Sequence, residues 1–458
     1  MASNSPDTSR ANAWQPSSWQ DKTALQQPEY ADEQRLTDVL GRLRRLPPLV
    51  TSWEVEALKS RLADAVQGKR FLLQGGECAE SIDSIVSDSI TSRLKLLLQM
   101  SLVLVYGLKI PVIRVGRFAG QYAKPRSASS ETRDGVTLPS YRGDLINRSG
   151  FSAGDRAPDP ERMLEAYGHS ALTLNFVRAL SQGGFADLHH PEYWNVDFLK
   201  DSPMGEDYRR VVDSIRHSVN FMETIHEGPI DNLQQVTFYT SHEALLLPYE
   251  EALTRRVPHR AGAYNLSTHF PWLGLRTSDP RGAHVEYARG IENPVAVKVG
   301  PDTSPSDLVS LTRVLNAEDI PGKLTFVTRL GADNVESRLP ALAQAVRSTG
   351  SPVLWCCDPM HGNTEVADSG YKTRRFDRIL AELESTFDVL ESAGMHVGGV
   401  HFELTGEDVT ECIGGAGGIS ESDLSRAYRS PVDPRLNGEQ ALEIAFSVVR
   451  KRSGEHAA

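Results

Sequence analysis

Cys78, His361, Glu403 and Asp433 offer one sulfur, one nitrogen and two oxygen donors in a chain of 458 residues. Such a mixed set suits a divalent transition metal such as manganese, cobalt, iron or zinc. It disfavours magnesium and calcium, which prefer all-oxygen shells. The separations of 283, 42 and 30 residues match no short metal motif, so only a fold that gathers distant strand ends would unite the four. The competing reading is that a lone cysteine after an apolar run is a small core residue. A second set is cationic: Arg117, Lys124, Arg126, Arg276, Lys298, Arg329 and Lys372 stand in or beyond short apolar runs. Seven cations sharing one rim would be prohibitive to bury without anions, so they imply more than one bound phosphate or carboxylate. Alternatively, each is paired with a nearby Asp or Glu.

The elements that must position these residues are eight short apolar runs: 71–74, 112–116, 235–239, 263–266, 295–300, 324–329, 353–358 and 400–404. They are rich in β-branched and aromatic residues and lack polar alternation, the signature of parallel strands buried on both faces. Helical periodicity fills 88–106, 334–348, 374–393 and 438–452, and an amphipathic helix is expected over 51–68. From the fourth run to the seventh the start-to-start spacings are 32, 29 and 29 residues. Eight such units predict a (β/α)8 TIM barrel, with a doubly wound open sheet as the competitor. Chemistry in a barrel gathers where strands end. There the sequence places Cys78, Arg117, Lys124, Arg126, His242, Glu243, Lys298, Arg329, Asp358, His361 and Glu403, with Trp272 and Arg276 farther from their run.

About 120 residues separate the second and third runs, which predicts a helical insertion over about 152–230, with Tyr122 to Gly150 as loop. Residues 1–13 are expected to be disordered. Residues 14–68 form an extension with two tryptophans in its first part, expected to dock on the body or on a partner subunit, or to serve only as a local helix cap. Residues 69–458 are expected to be a single barrel. The net charge of −11 argues against general nucleic-acid binding. Four cysteines without a CxxC pair suit a reducing compartment. The longest apolar stretch, Leu96 to Tyr106, is short for a bilayer. The N-terminus lacks a signal-peptide pattern, and a cytoplasmic protein with no membrane attachment is expected.

Several blocks together resemble the type II family of 3-deoxy-D-arabino-heptulosonate 7-phosphate (DAHP) synthases. They are WQPSSWQDKTALQQPEY (14–30), LLQGGECAE (72–80), RFAGQYAKPRS (117–127), LPSYRGDLIN (138–147), SHEALLLPYE (241–250), NPVAVKVGP (293–301), DPMHGNT (358–364), ELTGEDVTEC (403–412) and DPRLN (433–437). The resemblance covers nearly the whole chain. It implies metal-dependent condensation of phosphoenolpyruvate with erythrose 4-phosphate on a barrel, the first step toward chorismate and aromatic compounds in the shikimate pathway. The implied metal is Mn2+ or Co2+ first, with Fe2+ or Zn2+ as options, held by Cys78, His361, Glu403 and Asp433. Phosphoenolpyruvate maps to Arg117, Lys124, Arg276, Lys298 and Arg329, and the aldose phosphate to Arg126, Ser127 and Lys372. Lys124 is placed to donate a proton, His361 belongs to the catalytic centre as well as the metal set, and Glu243 has a supporting role. Family members also suggest a homo-dimer or homo-tetramer, an aromatic amino acid effector, and a chorismate mutase partner as a further option.

The chain departs from the family at one block. Members usually read W-[IV]-G-E-R-T-R-Q-[LI]-D-G-A-H, whereas residues 272–284 read WLGLRTSDPRGAH. Arg276 persists, Leu275 replaces an acid, Pro280 stiffens the loop, and Arg281 offers a cation displaced by three positions. Val432 stands where bacterial relatives often have a cysteine, which removes a redox partner for Cys78. Three readings accommodate the changed block: an ordinary DAHP synthase, a secondary-metabolism paralogue using a variant aldose phosphate such as an amino sugar, or an inactive metal- or anion-binding scaffold.

Overall fold

The apolar runs lie side by side in one sheet. In the computed structural model, which describes residues 14–183, 185, 187, 203–226 and 235–453, eight parallel strands form it. They are β1 (Phe71–Gly76), β2 (Val112–Arg117), β3 (Tyr239–Thr240), β4 (Trp272–Leu273), β5 (Val295–Val299), β6 (Leu324–Thr328), β7 (Val353–Cys357) and β8 (Val397–Glu403). The neighbour order is β3-β2-β1-β8-β7-β6-β5-β4, so each strand but the edge pair follows the chain around a curled sheet. A doubly wound sheet would instead reverse its order at a switch point. Register sets the level of the strand ends: Gly76 lies opposite both Arg117 and Glu403. The segments of the two outermost strands also exchange backbone hydrogen bonds. Phe270 N–H donates to Thr240 (3.1 Å), Trp272 N–H to His242 (3.1 Å) and Ala244 N–H to Trp272 (2.9 Å).

One strand was expected in the wrong place. The run 263–266 is not the fourth sheet strand, because Tyr264–Asn265 pairs antiparallel with Thr254–Arg255 in a separate two-stranded ribbon. The fourth strand is Trp272–Leu273, paired with β5. Both stretches are apolar and buried, and hydrophobicity alone does not say which of them borders β5. The third strand is shorter than its run, keeping only Tyr239 and adding Thr240. The expected loop from Tyr122 to Gly150 contains a hairpin, Ser130–Arg133 with Val136–Pro139. Its strands are largely exposed, so no burial pattern marks them.

Helices cover the sheet and stop one end of it. The amphipathic helix expected over 51–68 is Ser52–Val66, capped by Thr51 and Glu54 in a reciprocal capping box. Its Leu58, Leu62 and Ala65 pack in one buried cluster with Leu72, Ile113, Val115, Tyr239, Phe270, Trp272, Ala296, Val327, Leu354 and Cys356. The helix thus fills the interior at the strands' N-terminal ends, leaving the C-terminal ends free for chemistry. Two long helices, Glu161–Gln182 and Pro203–His226, and a short one, Ala153–Arg156, stand between β2 and β3 among the described residues. Residues 1–13, and 184, 186, 188–202 and 227–230 of the expected insertion, lie outside the described residues. The arm lies on the body, with Trp14 Nε1 donating to Glu286 O (2.9 Å) and Trp19 Nε1 to Glu251 Oε2 (3.0 Å).

The apolar stretch at Leu96–Tyr106 belongs to a longer helix, Ser87–Leu108, which among described helices is the one long and apolar enough to cross a bilayer. It packs against the last helix, Gly438–Ser453, and 67% of its most apolar window is buried within the protein. The contact depends on Gly107, where an added Cβ would lie 2.2 Å from Val449 Cγ1. Gly107→Ala is expected to destabilise by about 1–3 kcal/mol through overpacking, despite alanine's better helix propensity. Adding Val449→Ala should recover part of the loss in urea unfolding.

Candidate active site

The C-terminal ends of the strands open into a cavity of about 410 Å³. Its wall carries Cys78, Arg117, Lys124, Arg126, Ser127, Glu243, Arg276, Lys298, Arg329, His361, Lys372 and Asp433. Glu403, the remaining site residue expected from sequence, lies beneath the floor with a fully buried side chain. The corrected fourth strand explains why Trp272 and Arg276 reach this wall: Trp272 opens the two-residue β4 and Arg276 follows it closely.

Three of the four expected metal donors converge. One ligand atom each from Cys78, His361 and Glu403 lies within 4.8 Å of the others. Asp433 is adjacent, its Oδ2 3.4 Å from Cys78 Sγ, but it is engaged by Lys124 and by Lys372 Nζ (3.2 Å). His361 Nδ1 is 2.7 Å from Asp358 Oδ2 and its Nε2 is 2.9 Å from Glu403 Oε1. With Nδ1 donating to Asp358, Nε2 is the ring nitrogen that would ligate a metal alongside Glu403. Carboxylate support behind a histidine is the usual second layer of a metal site. These donors fit a divalent transition metal. All four cysteines are free and buried, and burial followed by the Glu403 charge pushes the Cys78 thiol well up.

The cations divide into two groups. Arg117 meets Glu403 (3.4 Å), Arg126 meets Glu131 (3.0 Å), Lys298 meets Asp358, and Lys124 and Lys372 share Asp433. Pairing with local acids therefore holds for five of the seven. Among the described residues, Arg276 and Arg329 make no ion pair. Arg276 donates to Ser127 Oγ (2.5 Å) and Arg329 to the carbonyl of His361. Burial opposes the charge of Lys124, but Cys78, Asp433 and Glu403 outweigh it and raise its pKa.

Several residues that sequence reasoning passed over hold this arrangement. Glu80 accepts hydrogen bonds from the amides of Ala119 (3.0 Å), Gly120 (3.0 Å) and Gln121 (2.9 Å), bending the loop between Arg117 and Lys124. Gly120 is needed there, since a Cβ would lie 2.3 Å from His242 Nδ1. His401, 1% exposed, places Nε2 2.9 Å from Arg117 Nη1. Burial, reinforced by Lys298 and Arg117, holds its pKa well below the usual value, so it accepts from the guanidinium as a neutral ring. A period-two signal was present, because His401 and Glu403 are alternate residues of one strand. Arg374 contacts the other Glu403 oxygen at 2.8 Å from within the core. His242, adjacent to Glu243, turns away to Glu250 (2.9 Å) and lines no part of the cavity.

The sequence profile of the Class-II DAHP synthetase family matches residues 14–449. The chain belongs to this family. A Streptomyces coelicolor phospho-2-dehydro-3-deoxyheptonate aldolase is 48% identical over 94% of the chain and 95% of its own length. A Neurospora crassa protein of the same name is 47% identical over 96% and 95%. A third, from Mycolicibacterium smegmatis, is 45% identical over 93% and 92%. The protein is thus a transferase of the DAHP synthase type, with the aldol-type condensation of that family as its general activity.

Within this DAHP synthase-family chain, the divergent block splits between cavity and solvent. Leu275 borders the cavity and covers Gly300, where a Cβ would lie 2.6 Å from Leu275 Cδ2. Arg281 does not restore a cation to the wall. Its side chain is 93% exposed and 3.9 Å from Asp279, because the chain turns outward there into the helix Ala283–Arg289.

Glu243 is 5% exposed and its Oε1 has no hydrogen-bond partner. Burial raises its pKa to about 7 against the opposing pull of Arg117, Lys298, Arg276 and Lys124. Because the folded value lies above the ordinary 4.5, the folded form holds the extra proton between the two. The contribution to stability is full below about 4.5 and is lost as pH rises through about 7. Glu243→Gln should therefore leave Tm unchanged at pH 4.5 and raise it by ~2 °C at pH 8, measured by scanning fluorimetry.

Proposed function

We propose that this enzyme joins phosphoenolpyruvate to erythrose 4-phosphate with water, giving DAHP and inorganic phosphate, as the first step of the shikimate pathway in the cytoplasm. The observation that carries this reading is that seven cations line one cavity together with Cys78 and His361, whose donor atoms cluster with that of the buried Glu403. The two phosphates and one carboxylate of the substrates match that excess of positive charge. The scaffold is read as a closed (β/α)8 barrel with an N-terminal extension (14–68) and a helical insertion after β2, supported by the hydrogen bonds between its outermost strands.

Cys78, His361, Glu403 and Asp433 would hold the metal, Mn2+ or Co2+ in the first place and Fe2+ or Zn2+ as alternatives. When bound, the metal supplies Lewis acidity toward the aldehyde oxygen. Carbon 3 of the enol phosphate attacks the aldehyde carbon, forming the new carbon–carbon bond, and the aldehyde oxygen takes up a proton to become a hydroxyl. Water adds at carbon 2, and phosphate departs with its bridging oxygen as that carbon–oxygen bond breaks. Arg117, Lys124, Arg276, Lys298 and Arg329 bind phosphoenolpyruvate, and Arg126, Ser127 and Lys372 bind the aldose phosphate. Lys124, with its raised pKa, carries a proton at the enolpyruvyl end. Glu243 orients the attacking water once deprotonated.

A second reading is a secondary-metabolism paralogue that takes a variant aldose phosphate such as an amino sugar phosphate. The observation favouring it is Leu275, an apolar side chain on the cavity wall, where members usually have an acid. An inactive metal- or anion-binding scaffold is a third option. Assembly as a homo-dimer or homo-tetramer, an aromatic amino acid effector and a chorismate mutase partner are further proposals; no nucleic acid or membrane partner is proposed.

The test is phosphate release from phosphoenolpyruvate by chelator-treated protein, with and without Mn2+, across a panel of aldose phosphates. Release is expected only when metal and an aldose phosphate are both present, with erythrose 4-phosphate the best substrate. Cys78→Ser should lower kcat by at least ~100-fold and weaken metal binding. A better rate with an amino sugar phosphate would move the assignment to the paralogue. No release with any aldose, despite bound metal, would leave the scaffold reading.

A further inference from the structure

The N-terminal arm reaches the rim of the cavity through Gln26. Its side-chain amide pairs with both backbone groups of Arg126: Nε2 donates to the carbonyl (3.2 Å) and Oε1 accepts from the N–H (3.0 Å). The next residue, Ser127, receives the hydrogen bond from Arg276 (2.5 Å). Gln26 is therefore fixed to the peptide that sets how far Arg126 and Ser127 stand from Arg276. Gln27 anchors the same stretch of arm, donating to Leu245 O (2.8 Å) and accepting from Leu247 N–H (3.1 Å), while Arg142 Nη1 bonds the Gln27 carbonyl (3.2 Å). Thr23 O accepts from Ala283 N–H (3.2 Å), at the head of the helix that follows the divergent block.

The backbone at Gln26 supplies a second, independent observation. Its φ is +61°, in the left-handed region where glycine is at ease and a side chain is disfavoured. A strained non-glycine residue whose side chain makes two hydrogen bonds to a substrate-facing loop points to use of that side chain.

We propose that Gln26 is a positioning residue for the aldose-phosphate half of the cavity. It holds Arg126 and Ser127 at the spacing the aldose phosphate group requires. The proposal rests on the assignment of Arg126 and Ser127 to that substrate.

Gln26→Gly tests it without threatening the fold, because glycine accepts the left-handed backbone while both hydrogen bonds are deleted. The expected result is a roughly tenfold higher KM for erythrose 4-phosphate, with KM for phosphoenolpyruvate and kcat within about twofold and Tm not lowered. Gln26→Glu keeps the acceptor for Arg126 N–H and should fall between. Gln20→Ala, which removes a contact from the same arm to Glu251, should move neither KM. An unchanged aldose-phosphate KM in Gln26→Gly, or equal rises in both KM values, overturns the proposal while leaving the activity assignment standing. Absence of turnover in the wild-type enzyme overturns that assignment, and this proposal with it.

Discussion

A fully buried carboxylate can stay ionised only if charged or donor groups close around it, and Glu403 is that group here. Its side chain has no exposure, and it is ringed by His361 at 2.9 Å, Arg374 at 2.8 Å and Arg117 at 3.4 Å. Burial alone would raise its pKa; these partners reverse the direction and hold it well below the usual range. They come from the loop after β7, a short strand beyond it, and the end of β2. The parallel register that sets Gly76 opposite both Arg117 and Glu403 brings the last two to one level. A neutral residue at 403 would leave Arg117 and Arg374 as buried cations without that counter-charge. The same carboxylate contributes to the donor cluster, so structural and chemical demands fall on one side chain.

The cavity above it is charged in advance. Five cations already hold protein carboxylates, and an incoming anion must compete with Glu131, Asp358, Glu403 or Asp433 for them. Among the described residues, Arg276 and Arg329 hydrogen-bond to neutral oxygens and make no ion pair, so they present positive charge to an anion without such an exchange. A net charge of −11 is compatible with an anion site, because an incoming anion meets the local charge at the cavity mouth rather than the sum over the chain.

Much of the site was legible from residue types. Burial on both faces is a local property of a strand, so apolar runs mark β1, β2 and β5 to β8 closely. Chemistry follows the strand ends, and twelve of the thirteen expected site residues border one cavity, with the thirteenth beneath it. What failed was pairing. The run at 263–266 and the true fourth strand at Trp272–Leu273 are both apolar, and only β5 distinguishes them. The hairpin at 130–139 is exposed and carries no apolar signal. Glu80 acts through the amides of Ala119 to Gln121, distant in the chain, so its role was invisible without them, and His401 carried only a period-two relation to Glu403.

The sequence by itself determined which chemistry is available: the S, N and O donors, the seven cations, the apolar periodicities and the altered block at 275–281. Tertiary structure decided how those groups are engaged. It turned Arg281 to solvent, kept Leu275 on the cavity wall, tied Asp433 to two lysines and brought Gln26 to Arg126. The physical reason is that composition and period report burial along one dimension. Ion pairing, tautomer and cavity shape depend on contacts between residues hundreds of positions apart.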